Sequence, residues 1–321
     1  CLLFLFLCFL FSACNTTKFL AEGEYLYGGA KVLIDKEPAI TNEKALTGEL
    51  TELLSPKPNS KLLWLFRTKL WVHYRAIKNP KGLIRFLSKR YGQAPVLFNP
   101  EFAQRNVQQI QNYLFNIGYF DATARYDTIQ MKKIAWVNYQ VSPQHRYSYK
   151  QIVLKTDSTA LGKLIREKAQ ESLVKEGAYY DAEVLKLERN RINRQVQRAG
   201  YYDYHTEAIN YKADTSQLNH NINLLVKPLS EKDGIPYHPF RLNNVYVFPE
   251  YSALYTDIVN ADTIVFENYH FISTLNEVRP AALADKMLFN KGSLYSQRNF
   301  EYSLNHLLQL DLYKFVDIKF V

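Results

Sequence analysis

The side chains that most often carry chemistry in proteins are few in this chain and poorly placed for it. All three cysteines, Cys1, Cys8 and Cys14, lie in the first fourteen residues, so the rest of the chain offers neither a disulfide framework nor a thiolate metal site. The seven histidines are isolated, with no pair at the spacing of metal ligands on a helix. No nucleophile elbow or phosphate-binding loop is present. The sequence therefore predicts a non-catalytic protein without a metal or cofactor.

Cys14 is the exception, because an apolar run precedes it. Residues 1–13 read CLLFLFLCFLFSA, too short to span a bilayer as a helix but typical of a signal-peptide core. Phe11-Ser12-Ala13-Cys14 resembles the lipobox of bacterial lipoproteins, with Phe11 in place of the usual leucine. That resemblance implies a signal peptide over 1–13, a covalent lipid on Cys14 and a lipidated linker over 14–23. The alternative is an ordinary secretory signal with an incidental cysteine. Asn15, rather than aspartate, after the cysteine implies an outer-membrane anchor with the rest of the chain in the periplasm.

Residues 55–97 carry ten lysines and arginines and no acidic residue, whereas the whole chain has a formal net charge of +9. Apolar side chains in this stretch step by three and four, which predicts one face of a helix: Leu63, Phe66, Leu70, Tyr74 and Ile77. A basic helix with tryptophans beside an apolar face is suited to a lipid headgroup layer. An equally open alternative is that the aromatic residues pack on the protein and the basic residues form a solvent-exposed face. The candidate residues for membrane or partner contact are Trp64, Arg67, Lys69, Trp71, Arg75 and Arg85. Nucleic acid is disfavoured as a partner for a secreted chain.

A helix that ends in Gly-Tyr-aromatic-Asp occurs twice, 82 residues apart. The first copy runs from Asn99-Pro100 to Gly118 and the second from Tyr180-Asp181 to Gly200. Each has one apolar stripe, and its glycine supplies the left-handed residue that ends a helix. A third copy begins at Ser296 and carries Asp311 at the glycine position. Gly118 and Gly200 are therefore predicted to be structural repeat positions.

The strand patterns around these helices predict a repeating unit of strand, helix, helix, strand, strand. The predicted domains are 24–145 with the basic insertion 55–97, 146–228, and an incomplete third domain over 238–321. Asp157 is expected to cap the first helix of the second domain. The predicted strands are Tyr25–Ile34 with a bulge at Gly28-Gly29, Asp121–Ile129, Ile134–Val141, Tyr147–Leu154, His205–Tyr211, Asn221–Val226, Phe240–Phe248 and Phe315–Val321. The fold class is α+β.

Successive units of this order behind a lipobox resemble the POTRA domains of the outer-membrane barrel-assembly superfamily, the BamA/TamA family. Within it, the combination is most similar to the TamL-type lipoproteins of the translocation and assembly module. The stretches that carry the resemblance are 20–27, 58–61, Leu70-Trp71 and 92–97. It implies tandem POTRA-like units in an extended arm, truncated here before a transmembrane β-barrel.

By that resemblance the chain is the periplasmic arm of a protein assembly or translocation factor. Its partners would be the outer membrane, unfolded barrel proteins or their strands, and a TamB-like periplasmic protein. The physical means would be β-augmentation, in which an extended segment pairs with an open sheet edge. The second strands, Asp121–Ile129 and Asp203–Tyr211, are the edges expected to be offered. The alternatives are a lipid-anchored POTRA scaffold, in cell division or polypeptide secretion, and a binding lipoprotein without a barrel.

Overall fold

The computed structural model describes residues 16–35, 42–62, 67–78, 83–217, 219–229, 237–250, 261–275 and 277–321. The signal peptide, Cys14 and Trp64 lie outside these residues. The chain forms two compact units: unit 1 comprises Cys1–Tyr147 with Tyr179–Asp181, and unit 2 comprises Ser148–Ala178 with Ala182–Val321. None of the helices in the described ranges has the length and hydrophobicity needed to cross a bilayer.

Within its described residues, unit 1 contains one three-stranded sheet and four α-helices. In chain order the elements are β1 (Leu26–Ile34), α1 (Glu43–Leu53), α2 (Thr68–Lys78), α3 (Leu83–Tyr91), α4 (Pro100–Asn116), β2 (Thr123–Met131) and β3 (Ile134–Ser142). The central strand β3 runs parallel to β1 and antiparallel to β2. Helices α2 and α3 belong to the basic insertion. Without them the order is strand, helix, helix, strand, strand, which confirms the prediction.

Helix α4 forms because its sequence combines a cap with an apolar stripe. The Asn99 side chain accepts a hydrogen bond from the amide of Glu101 at 2.8 Å, and Pro100 takes the first helical position. Ile110 and Leu114 are fully buried against the sheet. On that side of the sheet, β3 presents the buried side chains of alternate residues, among them Val137 and Tyr139. The core of unit 1 is this layer between the two repeat helices and the sheet.

The first part of unit 2 repeats this arrangement without an insertion. Its elements are β4 (Ser148–Leu154), α5 (Ala160–Glu167), α6 (Ala182–Arg198), β5 (Ile209–Gln217) and β6 (Asn221–Pro228). Strand β6 lies between β4, which is parallel to it, and β5, which is antiparallel to it.

Two predictions for this part need correction. Thr159, not Asp157, caps α5: its hydroxyl accepts from the amide of Gly162, while Asp157 accepts from the amide of Thr159. The strand predicted from His205 begins later, at Ile209, because Thr206–Ala208 form a 3-10 turn that buries Ala208.

The last part of unit 2 departs from the predicted order. Three strands, β7 (Val245–Val247), β8 (Asp262–Phe266) and β9 (Tyr269–Ser273), come before both helices, α7 (Pro280–Ala284) and α8 (Gln297–Leu308). The sheet keeps the strand arrangement of the other two, with β9 in the centre.

One predicted strand of this part is shorter than expected and another is wrong. The strand expected over Phe240–Phe248 forms only at Val245–Val247, and Phe315–Val321 is not a strand. The physical reason is that the hairpin β8–β9 takes the sheet positions beside β7 where Phe315–Val321 was expected to pair. The C-terminal stretch instead places Phe320 against the rings of Tyr202 and Tyr295, at 5.2 and 5.1 Å between ring centroids.

Candidate functional site

The outer edges of the first strands are occupied by backbone at the start of each strand. The amide of Tyr27 in β1 donates to the carbonyl of Val96 at 2.8 Å, and the amide of Phe98 donates to the carbonyl of Tyr25 at 2.8 Å. The segment that leads into helix α4 thus pairs with the beginning of β1. The bulge predicted at Gly28-Gly29 is present in the same strand, as a register shift between Tyr27 and Gly29.

The same protection recurs in unit 2. The amide of Tyr149 in β4 donates to the carbonyl of Ala178 at 2.9 Å, and the amide of Gly177 donates back to Tyr149 at 2.7 Å. Ahead of β7, the amide of Leu242 donates to Ser293 at 2.9 Å, and the amide of Gly292 donates to Leu242 at 2.7 Å. In all three sheets, the chain before the repeat helix covers the first strand or the residues that lead into it.

The second strands, by contrast, are open edges. Within the described parts of the chain, β2 pairs only with β3, and β5 pairs only with β6. The structure moves the expected edges slightly along the chain, from Asp121–Ile129 to Thr123–Met131 and from Asp203–Tyr211 to Ile209–Gln217. A row of outward amides and carbonyls on such a strand can pair with an extended segment of another chain.

An apolar surface lies beside the open edge of β2. The side chains of Ile129 and Met131 are 52% and 58% exposed, and Ile129 stands opposite Trp136 on β3. The indole of Trp136 lies over Gly28 of β1, where a Cβ atom would come within 2.5 Å of its Nε1. Gly28 is therefore the residue that lets Trp136 lie against the sheet. Trp136 lies over β1, on the side of β3 away from β2, so the side chains of a strand added to β2 would meet Ile129 and Met131.

Each open edge also carries an aspartate that captures one backbone amide. Asp127 accepts from the amide of Thr128 at 2.7 Å, and Asp214 accepts from the amide of Ser216 at 3.0 Å. Asp127 is paired with Asn138 of β3, and Asp214 is paired with Asn223 of β6, at a different register position of its sheet. Such local bonds reduce the pairing capacity of an edge, as does the charge itself. Sequence reasoning missed these residues, although an acidic residue inside a strand pattern was an available signal.

The repeat glycines have the backbone conformation that was predicted for them. Gly118 has φ of 94° and Gly200 has φ of 108°. Both are also places of close approach: a Cβ on Gly118 would lie 2.9 Å from the carbonyl oxygen of Tyr180, and one on Gly200 would lie 3.1 Å from Cβ of Pro239. Asp311, at the equivalent place in the third copy, has φ of 52° and so adopts the left-handed conformation without a glycine.

The aromatic residue two places after each glycine contacts the chain that follows. In unit 1, the ring of Phe120 lies 4.9 Å from the rings of both Tyr147 and Tyr180, measured between centroids. In unit 2, the ring of Tyr202 lies 6.1 Å from Phe240 and 5.0 Å from Tyr295. The repeated motif therefore provides a packing surface as well as a helix end, and the sequence reading had assigned it only the second role.

The basic insertion uses part of its apolar face for packing. Leu70 and Tyr74 of α2 are buried in a cluster with Leu20 and Leu26, and Phe19 stacks on Tyr74 at 4.8 Å between ring centroids. Ile77, at the end of the predicted stripe, is 65% exposed. Of the apolar face expected to meet a headgroup layer, Leu70 and Tyr74 are thus buried inside unit 1 and Ile77 is exposed, while Leu63 and Phe66 lie outside the described residues.

The basic candidates divide into one partly buried residue and an exposed set. Burial lowers the pKa of the Arg67 guanidinium, whose Nε has no hydrogen-bond partner in the described chain. Lys69, Arg75 and Arg85 are exposed, and the guanidinium of Arg75 lies 5.8 Å from the ring centre of Trp71. Arg67, Lys69, Trp71 and Arg75 thus share one helix and its start, while Arg85 lies on α3. Across the described ranges, no three His, Cys, Asp or Glu side chains are grouped to hold a metal ion.

No protein-family model matches the chain, and no curated protein does. Solved structures with a similar fold include POTRA domains 3–5 of BamA from Haemophilus influenzae, at 12% identity and a TM-score of 0.44, covering 93% of this chain and 91% of that one. POTRA domains 1–3 of the periplasmic domain of Omp85 from Anabaena match at 11% identity and a TM-score of 0.34, covering 92% and 89%. The N-terminal domain of Omp85 from the cyanobacterium Thermosynechococcus elongatus matches at 11% identity and a TM-score of 0.31, covering 93% and 91%. The likeness concerns the fold alone: tandem α+β units of the kind found in POTRA domains.

Proposed function

We propose that this chain is the periplasmic part of an outer-membrane protein assembly or translocation factor of the BamA/TamA kind, and that its role is to bind extended protein segments rather than to catalyse a reaction. The observation that carries the proposal is the open outer edge of β2, with Ile129 and Met131 exposed beside it. Strands of unfolded β-barrel proteins, or of a TamB-like partner, would pair with this edge. Backbone pairing suits many clients because it depends little on their sequence.

The difference between the two edges of the same sheet supports this role. Backbone from Val96 to Phe98 covers the start of β1, whereas β2 has no such cover in the described chain. Along its described length, the edge of β2 can therefore add a new strand without displacing existing bonds, whereas the start of β1 cannot. The open edge of β5 offers the same chemistry in unit 2.

Site-specific photo-crosslinking tests the proposal. A photoreactive residue at Gln130 of β2 would be compared with one at Tyr25, whose carbonyl accepts from the amide of Phe98 at the covered start of β1. With an unfolded outer-membrane barrel protein as client, we expect crosslinks from position 130 and few from position 25. Equal yields from both positions, or none from 130, would exclude β2 as the binding edge. A client that never crosslinks to either strand would favour a lipid-anchored scaffold or a different binding lipoprotein.

A second proposal concerns the membrane. We propose that a lipid on Cys14 anchors the chain and that the exposed bases of the insertion rest on the anionic membrane surface. The packing of Phe19 and Leu20 on α2 favours this arrangement, because it fixes the basic helix beside the residues that follow Cys14. Each base near such a surface adds about 1 kcal/mol of binding free energy.

Vesicle sedimentation separates these two contributions. Arg75→Gln with Arg85→Gln should weaken binding to anionic vesicles by about tenfold or more. The control pair, Lys150→Gln with Lys163→Gln, removes the same charge from exposed positions outside the insertion. Equal loss in both pairs would show a general charge effect and overturn the assignment. Separately, Cys14→Ser should release the protein from membranes if the cysteine is lipidated.

A further inference from the structure

A groove of about 460 Å³ lies between α5 and α6 of unit 2. It belongs to the helical face of the unit, so it is separate from the strand edge proposed above. Its lining residues are Leu164, Lys168, Glu171, Leu173, Leu187, Asn190, Arg191, Arg194, Gln195, Arg198 and Ala199.

Leucines line the apolar part of the groove. Leu173 and Leu187 are each 48% exposed, which is unusual for two large apolar side chains that share one depression. Leu164 and Ala199 complete the apolar lining. A volume of this size is at the lower end of the range for ligand pockets and holds a few side chains rather than a large ligand.

Some of the charged side chains around the groove have ion-pair partners and others have none among the described residues. Arg191 is bound within the protein, because its Nε and Nη2 donate to both oxygens of the buried Glu188 at 2.8 and 2.9 Å. Lys168 pairs with Glu171 at 3.0 Å. Arg194 and Arg198, by contrast, are exposed and have no ion-pair partner among the described residues. Because they stand four residues apart on α6, they lie on the same side of the helix.

The fold does not require this combination, as the corresponding helix of unit 1 shows. A shift of 82 residues places Asn112 and Asn116 where unit 2 has Arg194 and Arg198, so that position is neutral in unit 1.

The same shift identifies the residues of unit 1 that correspond to the groove residues of unit 2. Tyr113 and Ile117 pack against the core of unit 1, and the Tyr113 hydroxyl donates to Glu49 of α1 at 2.8 Å. Unit 2 has the smaller or more polar Gln195 and Ala199 at these positions. The residues that line this part of the groove, and its two arginines, thus differ from those at the corresponding positions of the first repeat.

We propose that this groove binds an amphipathic segment of a partner protein, with apolar side chains on Leu173 and Leu187 and with Asp or Glu side chains paired to Arg194 and Arg198. Arginine binds carboxylates through two parallel hydrogen bonds, which suits this pairing. The stretch from Leu187 to Arg198 is about 18 Å long as a helix, enough for about three turns of a bound helix. Two unpaired arginines are fewer than the four to eight bases typical of lipid-binding clusters, so a peptide fits better than a membrane surface.

The test uses the full chain and a fluorescent helical peptide of about 14 residues, with leucines along one face and glutamates flanking it. We expect binding that weakens by about tenfold or more in Arg194→Gln with Arg198→Gln. Gln195→Tyr with Ala199→Ile, which installs the residues of unit 1, should weaken binding similarly while leaving the charge unchanged.

Two controls make the result decisive. Lys150→Gln with Lys163→Gln removes the same charge away from the groove and should leave affinity unchanged. A peptide with lysines in place of the glutamates should bind much more weakly. Equal binding of both peptides, or equal affinity in groove and control variants, would overturn the proposal. So would anionic vesicles that bind through Arg194 and Arg198 while the acidic peptide does not. The crosslinking yield at Gln130 should be unaffected by the groove variants, so the two proposals fail independently.

Discussion

The carbonyl oxygen of Gly118 accepts a hydrogen bond from the amide of Tyr147 at 2.8 Å, and this bond has a counterpart between Gly200 and Phe240 at the same distance. In each case the aromatic residue that donates this bond also accepts one through its own carbonyl oxygen. The carbonyl of Tyr147 accepts from the amide of Tyr180, and the carbonyl of Phe240 accepts from the amide of Tyr295, both at 2.9 Å. The glycine that ends one repeat helix is thus connected, through Tyr147 or Phe240, to the residue that comes shortly before the next repeat helix.

Replacing Gly118 with alanine should destabilise unit 1 for two reasons. The left-handed backbone alone costs about 1 kcal/mol for a residue with a Cβ, and that Cβ would lie 2.9 Å from the carbonyl of Tyr180. We expect a total loss of about 2 kcal/mol or more in the free energy of unfolding, measured by chemical denaturation. Gly23→Ala is the matched control in the same unit, because Gly23 has φ of 83° and open space around its Cβ position. Equal losses in both variants would show that close approach contributes nothing.

Asp311→Gly should stabilise the last part of unit 2. Asp311 has φ of 52°, and a residue with a Cβ is strained there. Glycine relieves the strain but loses more entropy on folding, so the expected gain is about 0.5 kcal/mol. Thermal unfolding of the full chain would measure it. Asp311→Ala keeps the Cβ and should give no gain, so equal behaviour of the two variants would contradict the assignment.

Asp127→Ala should make the edge of β2 more available. Removing the carboxylate frees the amide of Thr128, which it now holds at 2.7 Å. We expect faster hydrogen exchange of that amide and a severalfold higher affinity of β2 for extended peptides, because one more donor is open for pairing. Asp127→Asn retains a side-chain acceptor and should show the smaller change. An unchanged exchange rate at Thr128 in the alanine variant would refute this role.

Glu250 should make unit 2 sensitive to acid. Burial raises the pKa of its carboxyl group, but hydrogen bonds from Ser273, Thr274 and Leu275 outweigh that effect and hold the pKa below its usual value. A carboxyl group whose pKa is depressed by folding stabilises the protein above its unfolded pKa of about 4.3, and the stabilisation is lost as the pH falls through the lower, folded pKa.

The measurement is the free energy of unfolding between about pH 5 and pH 3. Wild-type stability should fall more steeply over this range than that of Glu250→Gln. Glu277→Gln, at an exposed position, is the control and should follow the wild type. A Glu250→Gln curve parallel to that of the wild type would rule out this contribution.

The sequence by itself determined the parts of the fold that depend on neighbours along the chain. The helix ending before Gly118 and the one ending before Gly200 were predicted because caps, apolar stripes and left-handed glycines act over a few residues. The unit order of the first two repeats followed from these helices and the strand patterns beside them. The insertion was visible as a charge imbalance over 55–97. The sequence did not show which of its apolar residues are buried.

Only the tertiary structure decided what depends on residues far apart in the chain. Backbone pairing between Tyr27 and Val96, or between Tyr149 and Ala178, covers the start of one edge of a sheet and leaves the opposite edge open, and no local pattern encodes that choice. The hairpin β8–β9 takes the sheet positions where the predicted strand Phe315–Val321 would have paired, because sheet positions are filled by competition among segments. The groove beside Arg194 likewise depends on how α5 and α6 pack, with Gln195 and Ala199 among its lining residues. Local sequence sets which elements form, while long-range packing sets which of their surfaces remain free.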